Sequence, residues 1–409
     1  GGGGIMNPAL ELFVENARAI SIKDGAQMLG LKFRASGNEH PQPCPACGGT
    51  DTFAFNTQKG KWNCRQGGVG GNDAIGMAAH IRGLNPRSRD GLLEACSLLT
   101  GEPIPEGGER ESVEDRDARL ARLDAQRRKN EETQAKQHAQ QIDFREKERN
   151  KARGIYNRAV DLRSSGQADG RFYLMGRGAG VPEATWLRVS PSVPYWHGDE
   201  VIHEGPAMIA PFVAPDMTII GCHITWIDLD RRPKFRPEII DIQSGEVLPS
   251  KKMRGSKKGG LIPIAGSPAA LRWVGGEGIE NVGAVGHAEG FRDDTFYFAA
   301  GDLGNLAGPA DPSSKFAHPT LKKADAKARL RPVMISGPVP RADQSPDDAF
   351  WMPEHVRDVV LLGDGDSERI MTAAAMARAK ARIVRDGRRI AIAWPPAGID
   401  FSEMMAGAA

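Results

Sequence analysis

The spacing of apolar residues changes character several times along this chain. Near the start, Leu10, Phe13, Val14 and Ala17 recur at helical spacing behind Pro8, which predicts an amphipathic helix. From Gly107 to about Lys151 apolar residues thin out to Leu120, Leu123, Ile142 and Phe144 among Arg, Lys, Glu, Asp and Gln. No heptad is sustained there, so the stretch reads as an exposed helical tether, with a coiled-coil dimer as the alternative. Between Tyr156 and Ala270, runs such as 207–212, 218–227 and 260–264 predict strands separated by turns. Beyond them strands and helices alternate: 271–274, a helix from Ile279, 295–300, 359–362, a helix from Ser367 to about Arg385, and 389–394. Such alternation predicts a mostly parallel sheet covered by helices. A Pro-rich stretch from about 309 to 350, with a basic helical piece at Lys322–Arg331, is not required by that pattern and reads as an insertion.

The expected fold class is therefore α/β and α+β in several domains. A small N-terminal module covers 1–106, a charged helical linker 107–153, a mixed domain 154–268, and the mostly parallel sheet 269–409. The length of 409 residues accommodates two or three domains with proper cores. No run of 18 apolar residues exists to span a bilayer. The opening Gly1–Gly4 before Ile5 and Met6 resembles an expression remnant rather than a signal sequence, and a cytoplasmic protein is expected. The net charge of +2 by itself selects no partner, but the charge is segregated along the chain.

Two acidic clusters carry the most chemical information. Glu277 lies in Val274-Gly275-Gly276-Glu277-Gly278, and Asp364-Gly365-Asp366 follows the apolar run Val359–Leu362 and Gly363. Each falls where a buried strand should end, and ligands of open parallel sheets bind beyond the carboxyl ends of strands. Crowded carboxylates raise one another's pKa unless a cation neutralises them, and hard oxygen donors favour Mg²⁺ or Mn²⁺. That is the chemistry of phosphoryl transfer. A Gly-Asp-Gly-Asp run alone commonly marks a turn, and its place after a strand is what makes it a candidate site. Asp400, after the strand ending near Trp394, either joins these acids or caps the last helix.

Five cysteines, three of them in one segment, do not read as a disulfide framework. Cys44 and Cys47 form a Cys-x2-Cys knuckle, and sixteen residues separate Cys47 from Cys64. The pattern predicts a Zn²⁺ site whose second knuckle lacks a cysteine, because Gly67 stands where one is expected. His40 is the preferred fourth ligand, with His80 in reserve. Trp62, Phe53 and Phe55 between these positions serve either as stacking surfaces for bases or as the small core around the metal. Lys251, Lys252, Arg254, Lys257 and Lys258 place five cations within eight positions, a candidate clamp for phosphates or template backbone.

These residues carry a family resemblance. Glu277–Asn281, Ala299–Leu306, Asp364–Asp366 and Gly398–Phe401 resemble the landmarks of a Toprim domain of the kind found in phage and plasmid primases. The segment 44–53 with Trp62, Asn63 and Cys64 resembles the zinc-binding domain of the same primases. Phe172–Gly178, which includes Arg177, and Lys251–Gly255 are similar to parts of the primase catalytic core. The resemblance implies a DNA primase making short RNA primers on single-stranded DNA from ribonucleoside triphosphates. It implies Glu277 as catalytic acid or base, and Asp364 and Asp366 as ligands of Mg²⁺ or Mn²⁺, with Asp400 nearby. Bacterial replicative primases place an aspartate four residues after the glutamate, where this chain has Asn281. No P-loop occurs in the chain, so a helicase is expected to be a separate partner. The competing readings are a Toprim nuclease or topoisomerase, and a non-catalytic zinc-containing DNA-binding protein.

Overall fold

The helical spacing of Leu10, Phe13, Val14 and Ala17 produces the first helix, and all four side chains are buried. The computed structural model describes residues 8–34, 37–105, 113–164, 166–324 and 329–407; the opening glycines lie outside them. The chain divides into two compact units, Gly1–Ile142 with Leu321–Pro332, and Asp143–Thr320 with Val333–Ala409. No helix among the described residues is long and apolar enough to cross a membrane.

In the first unit, helices α1 (Pro8–Arg18) and α2 (Ile22–Met28) precede a four-stranded antiparallel sheet. Its strands β1 (Glu39–Cys44), β2 (Gly48–Asn56), β3 (Lys61–Cys64) and β4 (Val69–Gly71) pair in chain order. Helices α3 (Ala74–Arg82) and α4 (Arg89–Thr100) follow. Ser21, Asp73 and Ser88 cap α2, α3 and α4 by accepting a backbone N–H, each worth about 1 kcal/mol. One core joins α1, α3 and α4; another joins α2 and α3 to the sheet through Phe53, Phe55, Trp62 and Met77. Among its described residues the charged stretch is a single helix, α5 (Val113–Arg158), which contains the division between the units.

The second unit is built on two five-stranded sheets. After β5 (Val160–Asp161) and α6 (Asp169–Gly176) come β6 (Arg188–His197), β7 (Glu200–Val213) and β8 (Ile219–Trp226). A small ribbon of β9 (Ile239–Ile240) and β10 (Val247–Leu248) precedes β11 (Lys251–Gly255), which completes an antiparallel sheet ordered β11-β8-β7-β6-β5. Next come β12 (Ile262–Ala265), β13 (Arg272–Gly276), α7 (Ile279–Ala288), β14 (Thr295–Ala299) and α8 (Leu303–Ala307). After the ribbon strands β15 (Phe316–Ala324) and β16 (Leu330–Ile335), the chain forms β17 (Asp358–Leu362), α9 (Arg369–Ile383), β18 (Arg389–Ala393) and α10 (Phe401–Ala406). The second sheet has the order β12-β14-β13-β17-β18, with the last four parallel to one another and β12 antiparallel.

Alternation along each parallel strand assigns its side chains to two cores. Trp273, Phe296, Phe298, Val359 and Leu361 pack toward Phe350, Met376 and Ile383. Val274, Tyr297, Ala299, Val360 and Leu362 pack on the other face with Tyr173, Met208 and Val282. A sheet buried on both faces explains the unbroken apolar runs that marked these strands in the sequence.

Among the described residues, strand replaces the predicted basic helix at Lys322–Arg331. Residues 316–324 and 330–335 are paired strands, and 325–328 lie outside the described residues. Ten residues without an apolar face cannot sustain an isolated helix, and Pro319 and Pro332 restrict both sides.

Strand β13 passes directly beneath an aromatic ring. A Cβ added to Gly275 would stand 2.1 Å from Cζ of Phe298. Gly275→Ala is expected to destabilise this unit by about 1–3 kcal/mol through overpacking, read as a lower urea midpoint. An unchanged midpoint would show that the ring does not sit tightly on this strand.

Candidate functional site

Cys44 ends β1, Cys47 lies in the turn to β2, Cys64 ends β3 and His80 lies in α3. Their ligating atoms all fall within 4.8 Å of one another. His80 Nε2 lies 3.3 Å from Cys44 Sγ and 3.8 Å from Cys47 Sγ. The reserve ligand of the sequence reading, rather than His40, completes the set. His40 is buried elsewhere, against the Phe33 and Phe55 rings, and its Nδ1 accepts the Arg34 N–H. Gly67 explains the exchange of ligand: a Cβ there would lie 2.8 Å from Cε1 of His80 and 3.4 Å from Cys47 Sγ. The imidazole from α3 fills the place that a second knuckle's side chain would take.

The donor set suits zinc. Burial, then the neighbouring Cys44 and Cys64 thiols, push Cys47 up to about 12, and burial lowers His80, keeping its ring neutral. Burial raises Cys64 as well, and thiols held at such cost to their ionised forms are what a divalent ion relieves. The Gly67 N–H donates to Cys64 Sγ and the Cys47 N–H to Cys44 Sγ, orienting the sulfurs. Trp62 is buried in the same core, stacked on Phe53 and His80, with its Nε1 donating to the Asp73 carbonyl. The ring supports the histidine and is not an exposed stacking surface; Phe53 and Phe55 are likewise fully buried.

The acids meet in the second unit because of strand register. Gly276 of β13 pairs with Leu362 of β17, so the residues that follow, Glu277 and Gly363, emerge level at the same sheet edge. Glu277, Asp364, Asp366 and Asp400 line one pocket of about 150 Å³ together with Arg177, Arg236, Lys251, Glu280 and Asn281. Burial raises the Glu277 pKa, and the carboxylates of Asp364, Asp302 and Asp366 raise it further, against a hydrogen bond from the Leu303 N–H. Asp366 is raised by burial and by Asp364. Asp364 is oriented from both sides, with Ser367 Oγ donating to Oδ2 at 2.6 Å and Asn281 Nδ2 to Oδ1 at 3.3 Å.

Asp400 performs the capping role weighed for it, in a capping box with Glu403 at the start of α10, while it also lines the pocket. Its Oδ2 lies 3.6 Å from Arg177 Nη2. Glu280 is buried between Lys251 Nζ at 2.6 Å and Tyr173 Oη at 2.5 Å. Burial opposes its ionisation, but the Lys251 ammonium and both hydrogen bonds hold its carboxyl well below the usual range. Among the described residues only the cysteine–histidine group brings three or more donors within 4.8 Å of one another. The acids are spread more widely, a spacing suited to a hard cation that keeps water or phosphate oxygens among its ligands. The raised acids and the oxygen donors fit Mg²⁺ or Mn²⁺ in that sense.

The five cations read as one clamp do not act as a unit. Alternation along β11 sends Lys251 into the acidic pocket, while Lys252 and Arg254 line a different cleft with Trp196 and Arg158. Lys257 pairs with Asp302, and Lys258 lines a third cleft. Arg177 is buried and donates to Ser402 Oγ, with its Nε left without a partner. Arg236 went unrecognised in the sequence; its only signal is the basic run from Arg231 to Arg236 in a loop.

Residues 146–264 match a family described as "Domain of unknown function (DUF7146)". No curated protein matches the chain. Among solved structures, the chain is similar to a DnaG catalytic core at 14% identity, covering 63% of this chain and 74% of that one, with a TM-score of 0.33. A DNA primase domain from Pseudomonas aeruginosa is similar at 12% identity, with 63% and 74% covered and a TM-score of 0.32. A DnaG primase catalytic domain bound to ssDNA gives 14% identity, 63% and 73% coverage and a TM-score of 0.31.

Elemental analysis of the purified protein is expected to find zinc. His80→Ala and Cys64→Ser should lose it, and His40→Ala should retain it; zinc retained by His80→Ala would refute the ligand set.

The acidic pocket has its own pH signature. Glu277 and Asp366 have pKa values raised by folding, so the folded state binds more protons than the unfolded chain between the unfolded and folded values. Without a divalent cation, stability therefore falls as pH rises through that window. Mn²⁺ should raise the melting temperature more at neutral pH than near pH 5, and Asp364→Asn should abolish the difference. Equal Mn²⁺ stabilisation at both pH values would contradict cation binding by these acids.

Proposed function

We propose that this protein is a DNA primase of the Toprim type, which makes short RNA primers on single-stranded DNA from ribonucleoside triphosphates. The observation that carries this reading is the meeting of Glu277, Asp364 and Asp366 with Arg177, Arg236 and Lys251 around one pocket. Hard oxygen donors beside cations suit a triphosphate and its divalent ion better than any neutral substrate. In this reading Asp364 and Asp366 hold Mg²⁺ or Mn²⁺, helped by Asp400. The ion, when bound, supplies neutralisation of the triphosphate and activation of the attacking hydroxyl.

The remaining work falls to the chain's own residues. Glu277, its pKa raised by burial, accepts the proton of the attacking 3′-hydroxyl. Lys251, fixed by Glu280, and the buried Arg177 orient phosphate oxygens. The zinc module with Cys44, Cys47, Cys64 and His80 engages the single-stranded template, and a separate helicase supplies that template.

A topoisomerase would need an accessible tyrosine, and all four tyrosines, at 156, 173, 195 and 297, are buried. The module order of the sequence resemblance also favours a primase over a nuclease.

The test is incubation with single-stranded DNA, Mn²⁺ or Mg²⁺ and labelled ribonucleotides. Short labelled RNA is expected; cut DNA would favour the nuclease and a shifted band alone the binding protein. Glu277→Gln and Asp364→Asn should each lower synthesis by about 10²-fold or more while single-stranded DNA affinity is kept. Full synthesis in both variants would remove the assignment.

A further inference from the structure

The basic cleft lined by Lys258, of about 660 Å³, opens elsewhere on the second unit and shares no residue with the acidic pocket. Its walls come from α5, the β7–β8 turn, the loop after β11, the segment 344–352 and the chain between α9 and β18. Arg149, Lys258, Arg382, Arg385 and Arg388 line it, against one acid, Asp347.

The positive charge there is poorly compensated. Arg382 donates to the carbonyls of Phe350 and Leu306, and Arg388 to those of Val356, Ile383 and Pro353. Carbonyl oxygens orient a guanidinium but leave its unit charge in place. Arg149 and Arg385 reach carboxylates only at 3.8 and 3.7 Å, those of Glu146 and the exposed Glu354. The Nε atoms of Arg149 and Arg382 are buried without a hydrogen-bond partner. Burial pushes Arg382 down to about 10, a cost that an anion beside it would offset.

The cleft also has an apolar wall. Trp351 is half-buried, anchored by Nε1 on the Val213 carbonyl, and Val384, 62% exposed, lines the same cleft. Guanidiniums that match phosphate geometry next to an indole match the two halves of a nucleotide. We propose that this cleft binds a nucleotide unit, its phosphate among the arginines and its base against Trp351. The unit comes either from a free nucleotide or from a strand. The chain from Gln344 to Met352, within and just beyond the insertion, thereby forms part of a binding wall.

The test is isothermal titration of the full chain with pyrophosphate, ATP or oligothymidylate, without added divalent cation. Saturable binding of ATP or of the oligonucleotide is expected, the first pointing to a free nucleotide and the second to a strand. Arg385→Glu should weaken it by about tenfold or more, and Asp347→Asn should tighten it, a pair of opposite effects that misfolding cannot mimic. The proposal fails if no probe saturates, or if both cleft variants bind like the parent. Pyrophosphate binding as tightly as ATP would likewise overturn the nucleotide assignment.

Discussion

Like charges gathered at the end of a parallel sheet are the constraint around which the second unit is organised. Glu277 and Asp364 line one pocket because Gly276 and Leu362 are register partners in adjacent parallel strands, and that register is held by side chains on both faces of the sheet. A slip of one residue would exchange the two faces and carry Trp273 and Val359 into the wrong core. The repulsion felt by Glu277 is thus opposed by the burial of aromatic and aliphatic groups rather than by local pairing. Each fully buried side chain of that kind contributes roughly 1.5–3 kcal/mol, so the ladder can hold charges that would otherwise separate.

A buried network then fixes the cations beside those acids. Glu280 of α7 joins Lys251 of β11 to Tyr173 of α6, and so ties the antiparallel sheet to the parallel one. Such a buried pair adds little over an apolar core, but removal of one partner costs about 3–5 kcal/mol because the other is left uncompensated. Its value is positional: Lys251 has one place to be. Asn281 extends the same logic, since its amide donates to Asp364 while its oxygen accepts the Ser402 N–H at the start of α10. A carboxylate at that position could not donate to Asp364 and would add another negative charge to the pocket.

Much of this architecture was legible from periodicity. The parallel strands announced themselves as short apolar runs followed by glycine and acid, and β13, β14, β17 and β18 occur where those runs stand. The three cysteines were equally plain. The fourth donor stood only in reserve because His80 reaches the cluster from a helix, at a distance in sequence that no knuckle spacing encodes. Only the empty side of Gly67 hints that something else must fill the gap. The lysine-rich segment failed in the opposite way. Adjacent cations look like one patch in a linear sequence, yet in a strand successive side chains face opposite ways, so Lys251 and Lys252 serve different surfaces.

The arginines of α9 and the loop beyond it illustrate why the insertion was the least readable part. An irregular chain segment leaves carbonyl oxygens without ladder partners, and each must be satisfied if it is buried. Arg378 meets this need at Gly308, Ser336 and Gly337, Arg382 at Leu306 and Phe350, and Arg388 at Pro353 and Val356. A guanidinium does so better than any apolar residue because its five donors fan out in one plane. In sequence these residues look like the solvated face of a helix; in the fold they are the means by which an irregular segment is held to it. Arginine used in this way carries its charge inward with its hydrogen bonds, so the solution to a backbone problem also creates a positive cleft in need of an anion.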